Sequence, residues 1–64
     1  MTELYRKVTR CLRQNQFEQV SGGKGSHEKW RNKILGITLI VPRNLKSRHT
    51  ANAIMKSARI DRKF

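Results

Sequence analysis

The chain carries one stretch whose residue types and spacing could do chemistry: GGKGSHEKW, residues 22 to 30. His27 sits after Gly22, Gly23 and Gly25, with Lys24, Lys29 and Arg31 around it. Imidazole is the side chain whose ordinary titration lies closest to neutrality, so it suits proton transfer. Flanking cations, if close, would favour its neutral form by like-charge repulsion, and the neutral form is what a general base needs. The glycines let the backbone adopt φ > 0 and come close to a ligand. Exposed amides there, with Lys24, can hold a phosphate. The pattern is not GxxxxGK[ST], so it is not a nucleoside-triphosphate loop. Nor is it a dinucleotide fingerprint, because the glycines precede a strand and not a helix. The same residues also read as a flexible hairpin loop with a surface histidine. Ser26 reads equally as a residue that orients His27 or as a turn former.

The composition selects the substrate class. Of 64 residues, 15 are Lys or Arg and 4 are Asp or Glu, a net charge of +11. The cations run from Arg6 to Lys63, so they do not form a tail on a neutral core. Such a charge attracts polyanions, with nucleic acid first among them. No apolar run is long enough to span a bilayer, so no membrane partner is expected. RNA brings its own nucleophile, the 2′-hydroxyl beside each phosphate, and needs only a base to start internal attack. DNA needs an activated water, which nucleases commonly obtain from metal ions held by carboxylates. Glu3, Glu18, Glu28 and Asp61 are scattered without ligand spacing. If this chain cuts nucleic acid, the expectation is RNA, with no metal and no cofactor. Lys24 or Lys29 would then stabilise the charged phosphorane. Arg43, Lys46 and Arg48 surround the start of a helix, where anions are already favoured; they read as phosphate contacts or as a solvated cluster.

Positioning these groups requires a scaffold. Leu4, Val8, Cys11 and Leu12 follow the spacing of an amphipathic helix, with Tyr5 beside the stripe and Thr2 as N-cap. The helix is expected to close near Gln14–Asn15, with Asn15 taking the left-handed conformation. Residues 17–20, 27–31 and 37–41 read as strands, the last by its β-branched content, with Pro42 ending it. A second helix is expected over 47–58, capped by Ser47, with Thr50, Ala51, Ile54, Met55 and Ala58 on its buried stripe and Leu45 and Ile60 packed beyond its ends. Short connections favour an antiparallel meander, and both helices can bury their stripes on one sheet face. The fold class is therefore α+β: a single domain over 1–64 in the order α-β-β-β-α. Alternation along the second strand puts Glu28 and Trp30 on one side and His27, Lys29 and Arg31 on the other. A one-residue slip would reverse this. Cys11 reads as core filler, and a lone cysteine with no secretory signal points to the cytoplasm.

GGKGSHEKW, followed by ITLIVP and LKSRHTANAIMKSARI, resembles the HicA (YcfA-like) toxin family. The matching residues are Gly25, Ser26, His27, Trp30, Val41, Pro42, Thr50, Ile54, Met55, Lys56, Ala58 and Ile60, so the likeness runs from the glycine-rich loop through the second helix. The resemblance implies a fold like the double-stranded-RNA-binding domain. It implies an mRNA-cleaving endoribonuclease with His27 as catalytic residue. It also implies a HicB-like antitoxin as neutralising partner. Three positions depart from the family pattern. Gln16 and Arg59 stand where Gly is usual after each helix, and Ala51 stands where Leu is common. Two other readings of the residues remain at this point: a double-stranded-RNA-type binding module that cuts nothing, and a basic structural protein of a ribosomal kind.

Overall fold

The computed structural model describes all residues, Met1 to Phe64. Its elements are α1 (Glu3–Gln14), β1 (Glu18–Val20), β2 (His27–Asn32), β3 (Ile37–Pro42) and α2 (Arg48–Ser57). The strands form one antiparallel sheet in the order β1-β2-β3. This is the α+β architecture expected from the pattern of the chain. No helix is long and apolar enough to cross a membrane.

Both helices pack on one face of the sheet. Trp30, Leu39 and Val41 point to that face and meet Tyr5, Val8, Cys11 and Leu12 of α1 and Ala51, Ile54 and Met55 of α2. Trp30, Val8, Leu12 and Val41 are fully buried. Each large side chain removed from water this way contributes roughly 1.5–3 kcal/mol. Strand alternation then leaves His27, Lys29 and Arg31 on the opposite, uncovered face, as expected. The pairing register sets Val20, Lys29 and Ile40 in one row across that face and Glu18, Arg31 and Thr38 in the next.

The helix starts follow the side-chain chemistry. Thr2 Oγ1 accepts from the Tyr5 amide at 3.0 Å, and its hydroxyl donates to the Leu45 carbonyl, tying the first turn of α1 to the segment before α2. Ser47 Oγ accepts from the Thr50 amide at 3.2 Å. Several local expectations need correction. Phe17 lies in the core just ahead of β1, which begins at Glu18. Tyr5 is buried while Leu4 is only partly so, and Thr50 faces solvent in the first turn of α2. Asn15 is the C-cap of α1, but the left-handed residue is Gln16. Asn15 instead donates its side-chain amide to the Cys11 carbonyl at 2.8 Å.

Candidate functional site

The glycine-rich segment leaves β1 and folds back along the start of β2. Gly23 lies so close to β2 that a Cβ on it would sit 2.3 Å from the His27 carbonyl oxygen. The close approach these glycines permit is therefore first of all to the chain's own strand, and only what remains exposed is open to a ligand. The segment ends in a turn closed by the His27 amide donating to the Lys24 carbonyl at 3.0 Å. Gly25, at its second position, has φ +58°, while Ser26 stays at negative φ. That is the pattern of a type II′ turn, which needs Gly there. The Arg43 amide donates to the Ser26 carbonyl at 2.7 Å and locks the turn to the end of β3.

A cleft of about 160 Å³ lies where this loop meets the sheet. His27, Glu28, Lys29 and Arg43 border it, with Gly22, Gly23 and Gly25 of the loop. A Cβ on Gly22 would stand 3.4 Å from Lys29 Cδ and 3.5 Å from its Nζ, so the lysine stem rests against the loop. Side-chain hydrogen bonds along β2 engage Glu28, Trp30, Arg31 and Asn32 but not His27, whose ring is exposed. No internal acceptor fixes its tautomer, so a ligand would have to do so.

Sequence reasoning missed the group behind the cleft. Glu28 faces the helices, and three donors satisfy both oxygens of its carboxylate. Tyr5 donates its hydroxyl to Oε1, Trp30 Nε1 donates to the same oxygen at 3.3 Å, and Arg43 Nε donates to Oε2 at 3.0 Å. The Glu28 side chain is 3% exposed and that of Arg43 50%. A buried carboxylate is tolerated only when so satisfied. Burial, then the hydrogen bond and the charge of Glu28, push the Tyr5 hydroxyl up to about 12, against a smaller downward pull from Arg13 and Arg43. The one signal in the sequence was the placement of an acid between two residues of the cationic row, at a position that alternation assigns to the core.

The other expected site residues fall in three places. Lys24 and Ser26 are exposed in the turn beside the cleft, and Ser26 is tied down through its carbonyl. Arg31 lies further along the open face, its Nη1 3.4 Å from Thr38 Oγ1. Lys46 and Arg48 do not group with Arg43. They line a separate hollow of about 500 Å³ with Lys7, Arg62 and Lys63. The expected single cluster at the start of α2 is thus divided, because the Glu28 carboxylate draws Arg43 to the other side. A third hollow, between the free edge of β3 and α2, is lined by Ile37, Leu39, Ile40 and Ile54 with the hydroxyls of Thr38, Thr50 and Ser57, and by no ionisable side chain, so it offers a phosphate no counter-charge. No three His, Cys, Asp or Glu side chains come together as a metal-binding group. Comparison with protein-family models, with curated proteins and with solved structures finds no match.

Proposed function

We propose that the chain is a HicA-type endoribonuclease toxin that cleaves mRNA, with His27 as general base. The observation that carries this reading is the exposed imidazole on the uncovered, cationic face of the sheet, bordering a cleft shared with Lys29 and Arg43. His27 removes the proton from a ribose 2′-hydroxyl. The 2′-oxygen attacks the adjacent phosphorus, the bond to the 5′-oxygen breaks, and solvent water protonates the leaving oxygen. The products are a 2′,3′-cyclic phosphate and a 5′-hydroxyl. Positioned proton transfer typically supplies ~10²–10⁴-fold. The one carboxyl group lining the cleft, Glu28, is held by Tyr5, Trp30 and Arg43 and is not free to protonate the leaving oxygen, so the enzyme is expected to be slow.

The resemblance gains support from the backbone. Gln16 and Arg59, the positions where the family usually has Gly, are the two non-glycine residues of the chain at positive φ. The family's glycine pattern therefore fits this chain's helix endings although the glycines themselves are absent. A HicB-like antitoxin would neutralise such a surface by bringing acidic groups to Lys29 and Arg31 and apolar contact to Ile40, which is 51% exposed on the same face.

The deciding experiment incubates purified protein with RNA in EDTA, parent beside His27→Ala, followed by analysis of product ends. Cyclic phosphate from the parent and loss of cleavage with retained RNA binding in the variant are expected. Equal cleavage by the variant would falsify the assignment of His27. RNA binding with no cleavage by either protein would favour the binding module.

A further inference from the structure

We infer that Arg43 clamps the scissile phosphate beside His27, and that Glu28 and Tyr5 stand behind it as positioning residues. This rests on the ribonuclease reading and moves the role of phosphorane stabiliser from Lys24 or Lys29 to the arginine.

Arg43 is fixed at both ends. Its amide is bonded to the carbonyl of Ser26, the residue before His27, and its Nε is bonded to Glu28. A guanidinium has five donors in a rigid fork. The observed bond uses only Nε, so both terminal nitrogens remain for a ligand, and half of the side chain is exposed. Two nitrogens in one plane match two phosphate oxygens. Stabilisation of developing charge is strongest when the donors are already in place before reaction. Lys24, exposed on a turn, would lose considerable side-chain freedom on taking up one geometry. Arg43 has already lost it.

What fixes Arg43 is the buried carboxylate. Glu28 cannot turn away, because Tyr5 and Trp30 hold its other oxygen within the core. Loss of its cation would leave a buried charge without compensation. The network thus runs from the hydrophobic core through Tyr5 and Glu28 to Arg43, which lines the same cleft as His27 but is bonded to Glu28 on the helix-covered side of the sheet, so the two meet a phosphate from opposite sides of the strand end. A plain counter-ion for Glu28 would need none of the cleft geometry, and kinetics separate the two roles.

The test is cleavage of a short RNA in EDTA by the parent, Arg43→Ala, Arg43→Lys, Glu28→Gln and His27→Ala. Arg43→Ala should lower kcat by roughly 10²–10³-fold, the usual cost of losing one transition-state donor. Its KM should rise by no more than about tenfold. Guanidinium ion, added well below denaturing concentration, should restore part of that rate to Arg43→Ala and none to His27→Ala. Arg43→Lys should recover little, since it lacks the fork. Glu28→Gln should lower kcat at a temperature where Trp30 fluorescence shows the fold intact. Single-stranded DNA, which has phosphates and no 2′-hydroxyl, provides a readout free of cleavage. Arg43→Ala should bind it several-fold more weakly, with a log–log salt slope shallower by about 0.7. Parental kcat in Arg43→Ala, with His27→Ala inactive, overturns the clamp and leaves the ribonuclease reading standing. Unchanged DNA affinity and slope in Arg43→Ala overturn the clamp whether or not the parent cleaves RNA.

Discussion

Gln16 and Arg59 occupy equivalent places at the ends of the two helices, each one residue past the C-cap, with φ of 69° and 60°. The hydrogen bonds repeat as well. Phe17 and Ile60 donate to the carbonyls of Leu12 and Met55 at 2.9 Å, and Gln16 and Arg59 donate to those of Arg13 and Lys56. Both endings are Schellman motifs, in which glycine is the usual left-handed residue. A side chain there crowds the following carbonyl, at a cost of roughly 1–2 kcal/mol. Glycine removes that cost, but part of the gain is lost because glycine is freer in the unfolded chain. Gln16→Gly and Arg59→Gly are each expected to stabilise the protein by about 0.5–1 kcal/mol. The sites lie on different helices, so the gains should add. Urea unfolding followed by Trp30 fluorescence measures this, and an unchanged midpoint in both variants would contradict it.

Tyr5 is the sole tyrosine, so its ionisation can be followed directly by ultraviolet absorbance. The folded protein should show the phenolate transition near pH 12, and the protein in denaturant near the ordinary value of 10. A hydroxyl raised on folding gives full stability below the unfolded value. That stability is lost as pH rises through the folded one, because the unfolded state releases its proton first. Stability should therefore fall between about pH 10 and 12 in the parent. Tyr5→Phe removes this dependence. A parent tyrosine that titrates near 10 while Trp30 is still buried would show that the Tyr5–Glu28 bond does not persist in solution.

The order of elements, the antiparallel meander and the face carrying His27 were legible because period-2 alternation is strong in β2 and β3. Trp30 fixed the register, since a lone tryptophan belongs in the core of so small a domain. Glu28 followed the same alternation, yet nothing local names its three partners, which lie 2, 15 and 23 positions away in the chain. For the same reason Arg43 read as a neighbour of Lys46 and Arg48, close in sequence, when a long-range ion pair decides its place. The left-handed residues were hidden by side-chain preference. Asn15 is the better αL former, but hydrogen-bond geometry at the helix end puts that conformation one residue later.

Two glycines of the loop should respond differently to alanine. A Cβ on Gly23 would meet the His27 carbonyl oxygen at 2.3 Å, and backbone at that distance has to move. Gly23→Ala is expected to destabilise by roughly 1–3 kcal/mol, as other overpacked sites do, and to shift the loop away from β2. Gly25 has open space around its Cα but φ of +58°, so Gly25→Ala should cost about 1 kcal/mol of backbone strain alone. Gly25→Asn should recover part of it, since Asn tolerates that region. Urea midpoints and the amide shifts of residues 27 to 29 read both effects. Comparable shifts of those amides in both alanine variants would mean that Gly23 does not pack on β2.

On the proposed ribonuclease reading, the hollow lined by Lys7, Lys46, Arg48, Arg62 and Lys63 predicts a separation of binding from catalysis. The ion pairs of the protein engage Arg6, Lys33 and Arg43, so none of these five cations is ion-paired, although Glu3, the partner of Arg6, also lines the hollow. The last two are held nearby because Asn52 fastens Phe64 at both backbone groups, with bonds of 2.7 and 3.4 Å. Cations gathered without partners repel one another, and a phosphate strand relieves that repulsion. An RNA held at both the cleft and the hollow releases counterions at both. Each neutralised phosphate contributes about 0.7 to the log–log salt slope for a single strand. Lys46→Ala with Arg48→Ala should therefore weaken RNA binding and flatten the slope by about 1.4, while kcat at saturating RNA stays at the parental value. Lys29→Ala, at the cleft, should flatten the slope by half as much, whereas Arg43→Ala should both flatten it and lower kcat. Anisotropy titrations over a salt series, set beside cleavage rates, separate the two sites. A salt slope untouched by the double variant would mean that the hollow is only a solvated cluster.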